Sequence, residues 1–384
     1  MSFAHDLRGR GAALAAALML GLATPHPVTA QTAEEAAARL AELDVKVRNQ
    51  LVTAETLGDV QSIRFGSRIA PLVTDDDIAL FRFLPRLGSV SLDGVREVSP
   101  VGLKHLLNVP ELWRLSLRSS EMTDAHVIVV GELPGVRVLD LTANAAVSDA
   151  AMTPILRLPA LSDLTLQNTG ITDAGLAGLA GHPSLRTLGI GHTAVTDATF
   201  EALGTIPTLQ RISLANTTVT GAGFAHIAGL PDLQELGLMN TGVDDAAAVH
   251  IGQMAAMRRL FAWNTGLTDG GVAHLSGLGQ LEVLYLDRTG LTDAGLAHLS
   301  GLSGLRTLWL NGTAVTDAGM AHLSGLELTS VQISATAVGD AGLLTLAAIP
   351  SLTSISARRS AVTEAGVEAA LALPGRNPRL SISR

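Results

Sequence analysis

The chain of 384 residues carries a formal net charge of −9, is 47% hydrophobic but only 3% aromatic, and contains no cysteine. A chain this apolar, with 16% charged residues, buries enough surface to fold, which excludes disorder. The absence of cysteine excludes disulfides, thiolate metal sites, cysteine nucleophiles and a lipoprotein anchor, while acidity argues against a nucleic-acid partner, whose phosphates need a basic surface.

Taken from the start, Arg8 and Arg10 precede an uncharged run from Gly11 to Leu22, followed by Pro25, Pro27 and Val28-Thr29-Ala30. A positive segment, a short apolar core and a small-residue cleavage site form the pattern of a secretory signal, so residues 1–30 are expected to be removed on export. Such a run rises only about 18 Å as a helix, too short for a ~30 Å hydrocarbon core. No later stretch reaches spanning length, and the expected location is periplasmic or secreted. Residues 31–58 are expected to form a capping helix and linker at the head of the main domain. Thr32-Ala33-Glu34-Glu35 is a capping box, and Leu40, Leu43, Val47 and Leu51 mark one face of a helix.

From residue 59 to 384 a period of twenty-four governs the chain. Leu161, Leu185, Leu209, Leu233, Met257, Leu281 and Leu305 open segments at identical spacing, with looser copies on both sides, giving about thirteen repeats. Leu284 and Leu286, two residues apart, fit one face of a short strand. Leu296, Leu299 and Leu302 step by three as a helical stripe. Thr292 is a suitable N-cap, Asp293 sits where the helix dipole favours negative charge, and Pro159, Pro183, Pro207, Pro231 and Pro350 stop the helices. One unit cannot bury its leucines alone, whereas a stack can. Strands stack at ~4.8 Å and helices at ~8–10 Å, which bends the stack and puts the sheet on the concave side. Thr169, Thr193, Thr217, Thr241, Thr265, Thr289, Thr313 and Thr336 come just after the strands, placed to satisfy turn carbonyls.

Segments such as Leu281-Glu282-Val283-Leu284-Tyr285-Leu286-Asp287-Arg288-Thr289 resemble the leucine-rich repeat family. The likeness is to its helical, ribonuclease-inhibitor-like or cysteine-containing subtype, in the bacterial form with Thr-Asp-Ala-Gly-Leu turns. The chain departs from that pattern by carrying threonine where asparagine or cysteine is usual, with Asn144 the one copy holding asparagine. The resemblance implies an α/β solenoid, a horseshoe of concave parallel sheet and convex helices, that binds ligands on its concave face. It implies no activity.

Function must then be read from exposed strand positions. Phe261, Tyr285 and Trp309 share one mid-strand position in three consecutive repeats, and Trp263 lies two residues beyond Phe261. Strand spacing brings these rings into one wet patch, and exposed aromatics are enriched at binding hot spots. Met239, Asn240, Asn264, Asp287, Arg288 and Asn311 are expected around them as polar or adaptable contacts. The bland alternative is cross-strand stacking that only stiffens the sheet. Eleven arginines, among them Arg114, Arg137, Arg211, Arg259, Arg288 and Arg358, fall on this face against six acids, which would steer an anionic or mixed-charge partner inward.

Two other columns are tempting as metal sites. His226, His250, His274, His298 and His322 recur at one helical position, but helices ~8–10 Å apart cannot bring several nitrogens to ~2.1 Å from one centre. The aspartates Asp173, Asp197, Asp245, Asp269, Asp293, Asp317 and Asp340 sit at helix starts, which explains them more simply than calcium. No metal or cofactor is expected. No catalytic signature appears, since Ser, His and Asp recur with the repeat whereas an active site is built once. The reading is an exported, monomeric, non-enzymatic module that binds a protein partner. Rival readings are a carbohydrate or peptidoglycan-fragment binder, a hydrolase without a recognisable motif, and an envelope scaffold.

Overall fold

The computed structural model describes residues 32–384; the proposed signal segment lies outside them. Among the described residues, fourteen strands form a single parallel sheet in strict chain order, from Ser62–Arg64 to Ser381–Ser383. Register obeys the period. Leu236 pairs with Leu260, Leu260 with Leu284, Leu284 with Leu308 and Leu308 with Val331. These central residues are fully buried, so the residues on either side of them face away from the core. Each of these sheet strands is three residues long, because the chain soon turns through a left-handed residue. Asn216, Asn240, Asn264 and Arg288 hold φ of 58°, 55°, 54° and 53°. Threonine comes next in each case. Its hydroxyl donates to the carbonyl three residues earlier, as Thr265 does to Ala262 (2.7 Å) and Thr313 to Leu310 (2.6 Å). Asn144 does more with its longer amide, donating to Leu117 and Leu141 carbonyls and accepting from the Ser120 and Met122 N–H groups, which ties two repeats together.

The opposite side carries short α or 3₁₀ turns such as Asp293–Ala297 and Phe224–His226. Helices this short are unstable alone and persist by packing. The aspartate column supplies much of that coupling. Asp269 accepts the Thr292 N–H (2.8 Å) and hydroxyl (2.6 Å) of the next repeat. Asp293 does the same for Thr316, Asp149 for Thr172 and Asp340 for Thr363. The carboxylates thus clasp neighbouring repeats, a role beyond the dipole effect expected from their position.

An N-terminal helix, Ala33–Glu42, lies over the first repeat and buries Ala36, Ala37 and Leu40. Its capping box is made in full, between Thr32 and Glu35. The helical stripe expected through Val47 and Leu51 is corrected. The helix ends at Glu42, Asp44 turns left-handed (φ 59°), and Lys46–Val47 pairs antiparallel with Gln50–Leu51. Arg48 and Asn49, both at positive φ, make the two-residue turn that suits a hairpin's twist. Arg39 on the helix forks onto Asp77 (Nε–Oδ1 2.7 Å, Nη2–Oδ2 3.2 Å), whose side chain is completely buried and also accepts the Thr74 N–H.

Among the described residues no helix is long and apolar enough to cross a membrane. The five histidines of the convex column are exposed except His250, which is half-buried.

Candidate binding face

Strands Arg259–Phe261, Val283–Tyr285 and Thr307–Trp309 present their third residues to the same side in direct register. Phe261 meets Tyr285 edge-on, with ring centroids 4.9 Å apart and planes at 62°. Tyr285 and Trp309 lie flat on each other, 3.6 Å apart and 4° from parallel. All three are half-buried on the sheet face. Tyr285 therefore has one face covered by Trp309 and the other side against Phe261. Gly237 is the strand neighbour of Phe261, and Gln332 that of Trp309. Trp263 and Met239, both half-buried, stand one row further along, and Trp263 makes no ring contact among the described residues.

The polar residues expected around the rings are already engaged. Asp287 is only 8% exposed, against the expectation of a surface contact, because its carboxylate turns back to the Asn311 N–H (3.0 Å) and amide. Asn311 in turn donates to Gln332 (2.8 Å) and accepts from the Ser334 N–H (2.8 Å). Burial pushes the Asp287 carboxyl above the ordinary carboxylate range, although the Asn311 hydrogen bonds and Arg288 pull it down. Burial, and the charge of Asp287, raise the Tyr285 hydroxyl. Asn264 donates to Asn240 (2.7 Å), Asn240 to Asn216 (2.9 Å), and Asn216 contacts His192 Nε2 (2.9 Å), forming an amide ladder along the rim. Their left-handed backbone is one that asparagine tolerates better than most residues, so conformation accounts for part of their presence. Arg288 occupies the next such position and is exposed.

Part of the positive charge on this face is locally paired, while Arg114, Arg137 and Arg288 make no ion pair among the described residues. Arg259 meets Glu235 (2.6 Å), Arg258 meets Glu282, and Arg211 meets Asp163 (3.5 Å). Such exposed pairs contribute little each, about 0–1 kcal/mol. They nonetheless fix the guanidinium groups along the strand starts.

One element escaped sequence reasoning, which looked for large side chains. On the far side of Phe261 from Tyr285, the strand positions are Gly237, Ser213 and Gly189, and the next row holds Ala215 and Gly191. Three strands of small residues leave the face without large side chains over roughly 14 Å at ordinary strand spacing, a shallow trough whose glycines are themselves buried and whose Gly189 lies close under Thr165 and Gln167. Phe261 and Met239 wall it on one side, Thr165 and Gln167 on the other. The signal was a run of absences.

The buried Asp287 carries a consequence for stability. Its folded pKa exceeds its unfolded value, so ionisation opposes folding: the contribution is most favourable below the unfolded pKa and is lost as pH rises through the folded one. Asp287→Asn is expected to remove that decline. Urea midpoints of wild type minus variant, tracked from acid to neutral pH, should fall with rising pH, and a pH-independent difference would contradict the assignment.

No protein-family model matches the sequence, and no curated protein is similar to it in sequence. The fold is similar to an internalin of Listeria monocytogenes, with a TM-score of 0.62 and 19% identity over 94% of this chain and 97% of that one. A chain of the yeast Rad7–Elc1 complex gives 0.54 and 17% over 82% and 81%. A chain of the mouse RP105/MD-1 complex gives 0.54 and 16%, and there the match covers 75% of this chain and 49% of that one. The protein is an α/β leucine-rich repeat solenoid.

Proposed function

We propose that this solenoid is an exported, non-enzymatic module that binds a protein partner on its sheet face, across the wall of Phe261, Tyr285 and Trp309 and the small-residue trough beside it. The observation that carries the reading is the juxtaposition of the two: an aromatic ridge standing next to Gly237, Ser213 and Gly189 makes a step into which a partner's side chains fit. Buried aromatic anchors beside pockets are the usual centres of protein interfaces. Two structurally similar chains come from complexes with a second protein, which agrees with this use of the fold. A glycan would need open ring faces, and mutual stacking leaves few of them, so a protein is favoured over a sugar. Export rests on the charged, apolar and small-residue segments of residues 1–30. Placement in the helical, ribonuclease-inhibitor-like subtype rests on the convex helical turns; a cysteine-containing label has no cysteine to stand on.

The partner should be recoverable by affinity capture from envelope and culture fractions. Trp309→Ala is then expected to weaken the captured complex by about thirtyfold or more, the effect of losing ~2 kcal/mol at a hot spot. Its own fold should lose the stack, about 0.5–1.5 kcal/mol, and in addition the burial of part of an indole, about 1–2 kcal/mol. Unchanged capture by both Trp309→Ala and Tyr285→Ala would refute the site.

A further inference from the structure

We propose that the rim of the first repeats, centred on Trp113, is a second docking surface, for an acidic segment of a protein partner. Trp113 immediately precedes strand Arg114–Ser116 and is 44% exposed, far from the concave stack in chain position. Its indole rests on Gly88 of the preceding repeat, where a β-carbon would come within 2.8 Å of Cδ1 and Nε1. The N–H groups of Trp113 and Arg114 both donate to the Gly88 carbonyl (2.9 and 3.1 Å), which pins the backbone beneath the ring. The ring is therefore held against one repeat while open to water, a preorganised apolar surface.

Open cavities of about 380 and 390 Å³ flank it, one bordered by Arg86 and the other by Arg137, with Glu111 on both. A third, of about 350 Å³, continues the rim to Arg48. Arg86 lies 3.9 Å from Asp59, but among the described residues neither Arg48 nor Arg137 has a carboxylate within ion-pairing distance. Both are exposed. A chain with net charge −9 thus carries one unpaired guanidinium, Arg137, beside a wet tryptophan, and another, Arg48, further along the same rim beyond Arg86. Carboxylates of a partner would pair with the arginines, and an apolar side chain would cover the indole. Glu111 selects among anions: a continuous run of phosphates would have to pass it, whereas a polypeptide can place a neutral or basic residue there.

The test uses the full chain and its three tryptophans, Trp113, Trp263 and Trp309, whose indole N–H signals report the two surfaces separately in a ¹⁵N–¹H correlation spectrum. The probe is an acetylated pentapeptide, Glu-Glu-Leu-Glu-Glu, titrated at low salt beside Lys-Lys-Leu-Lys-Lys and an oligothymidylate. The acidic peptide is expected to move the Trp113 signal alone. Arg137→Ser and Trp113→Ala, both at exposed positions, are each expected to weaken its binding by about tenfold, measured calorimetrically, and salt should weaken it further. No shift, a shift confined to Trp263 or Trp309, equal affinity of Arg137→Ser, or stronger binding of the oligothymidylate would overturn the proposal. The concave reading stands or falls separately, on its own two signals.

Discussion

Arg39→Ala is expected to lower stability by about 2–4 kcal/mol, because breaking a buried ion pair by removing one partner strands the other charge, at a cost of about 3–5 kcal/mol. The lower range applies here because Arg39 remains 21% exposed while Asp77 is at 0%. The loss should be local first. Stacked repeats lend stability to their neighbours, so a loosened cap frays the first units before the middle ones. Hydrogen exchange should show lost protection around Ile78 and Phe81 while the strands near Leu284 keep theirs. Arg39→Lys should not rescue it, since a single ammonium cannot reproduce the two-pronged contact on Oδ1 and Oδ2. An unchanged exchange pattern in Arg39→Ala would show that the helix does not close the core.

An effect of similar size belongs to the clasp between repeats. At Gly295 a β-carbon would overlap Asp269 Oδ1 and Leu291 Cδ1, so the glycine is needed where the preceding carboxylate crosses over. Gly295→Ala is expected to cost about 2–4 kcal/mol, combining overpacking with loss of the Asp269–Thr292 hydrogen bonds. Asp269→Ala alone removes two charge-assisted bonds, worth about 1.5–3 kcal/mol each at most, and leaves Thr292 partly solvated. The double variant should be less destabilised than the two losses added together, because removing Asp269 also removes part of the clash. Strict additivity in urea titration would contradict the clasp.

What the sequence made legible was whatever repeats. Leu260, Leu284 and Leu308 announce both strand and register, since a slip of one residue would turn all of them to water. The ring column came from the same register and was legible before any coordinate. Its stacking was not, because spacing fixes where rings stand and leaves their tilt open; Tyr285 and Trp309 cover each other rather than lining up as open platforms. The aspartates were legible as helix-start residues, yet their bonds run to a threonine twenty-three residues on, a contact visible only once repeats are stacked. Outside the period the reading was weakest. Leu43, Val47 and Leu51 keep helical spacing, and two left-handed residues, Arg48 and Asn49, decided for the hairpin instead. The trough was missed because glycine and serine carry no positive signal.

The sheet face as the place of binding is tested most directly by site-specific photo-crosslinking. A benzophenone side chain would be placed at Ser213, on the trough floor, and in a second variant at His274, on the convex side. Irradiation in the presence of the captured partner is expected to give an adduct from position 213 and none from 274. Adducts from 274 alone would put the partner on the helices and contradict the account.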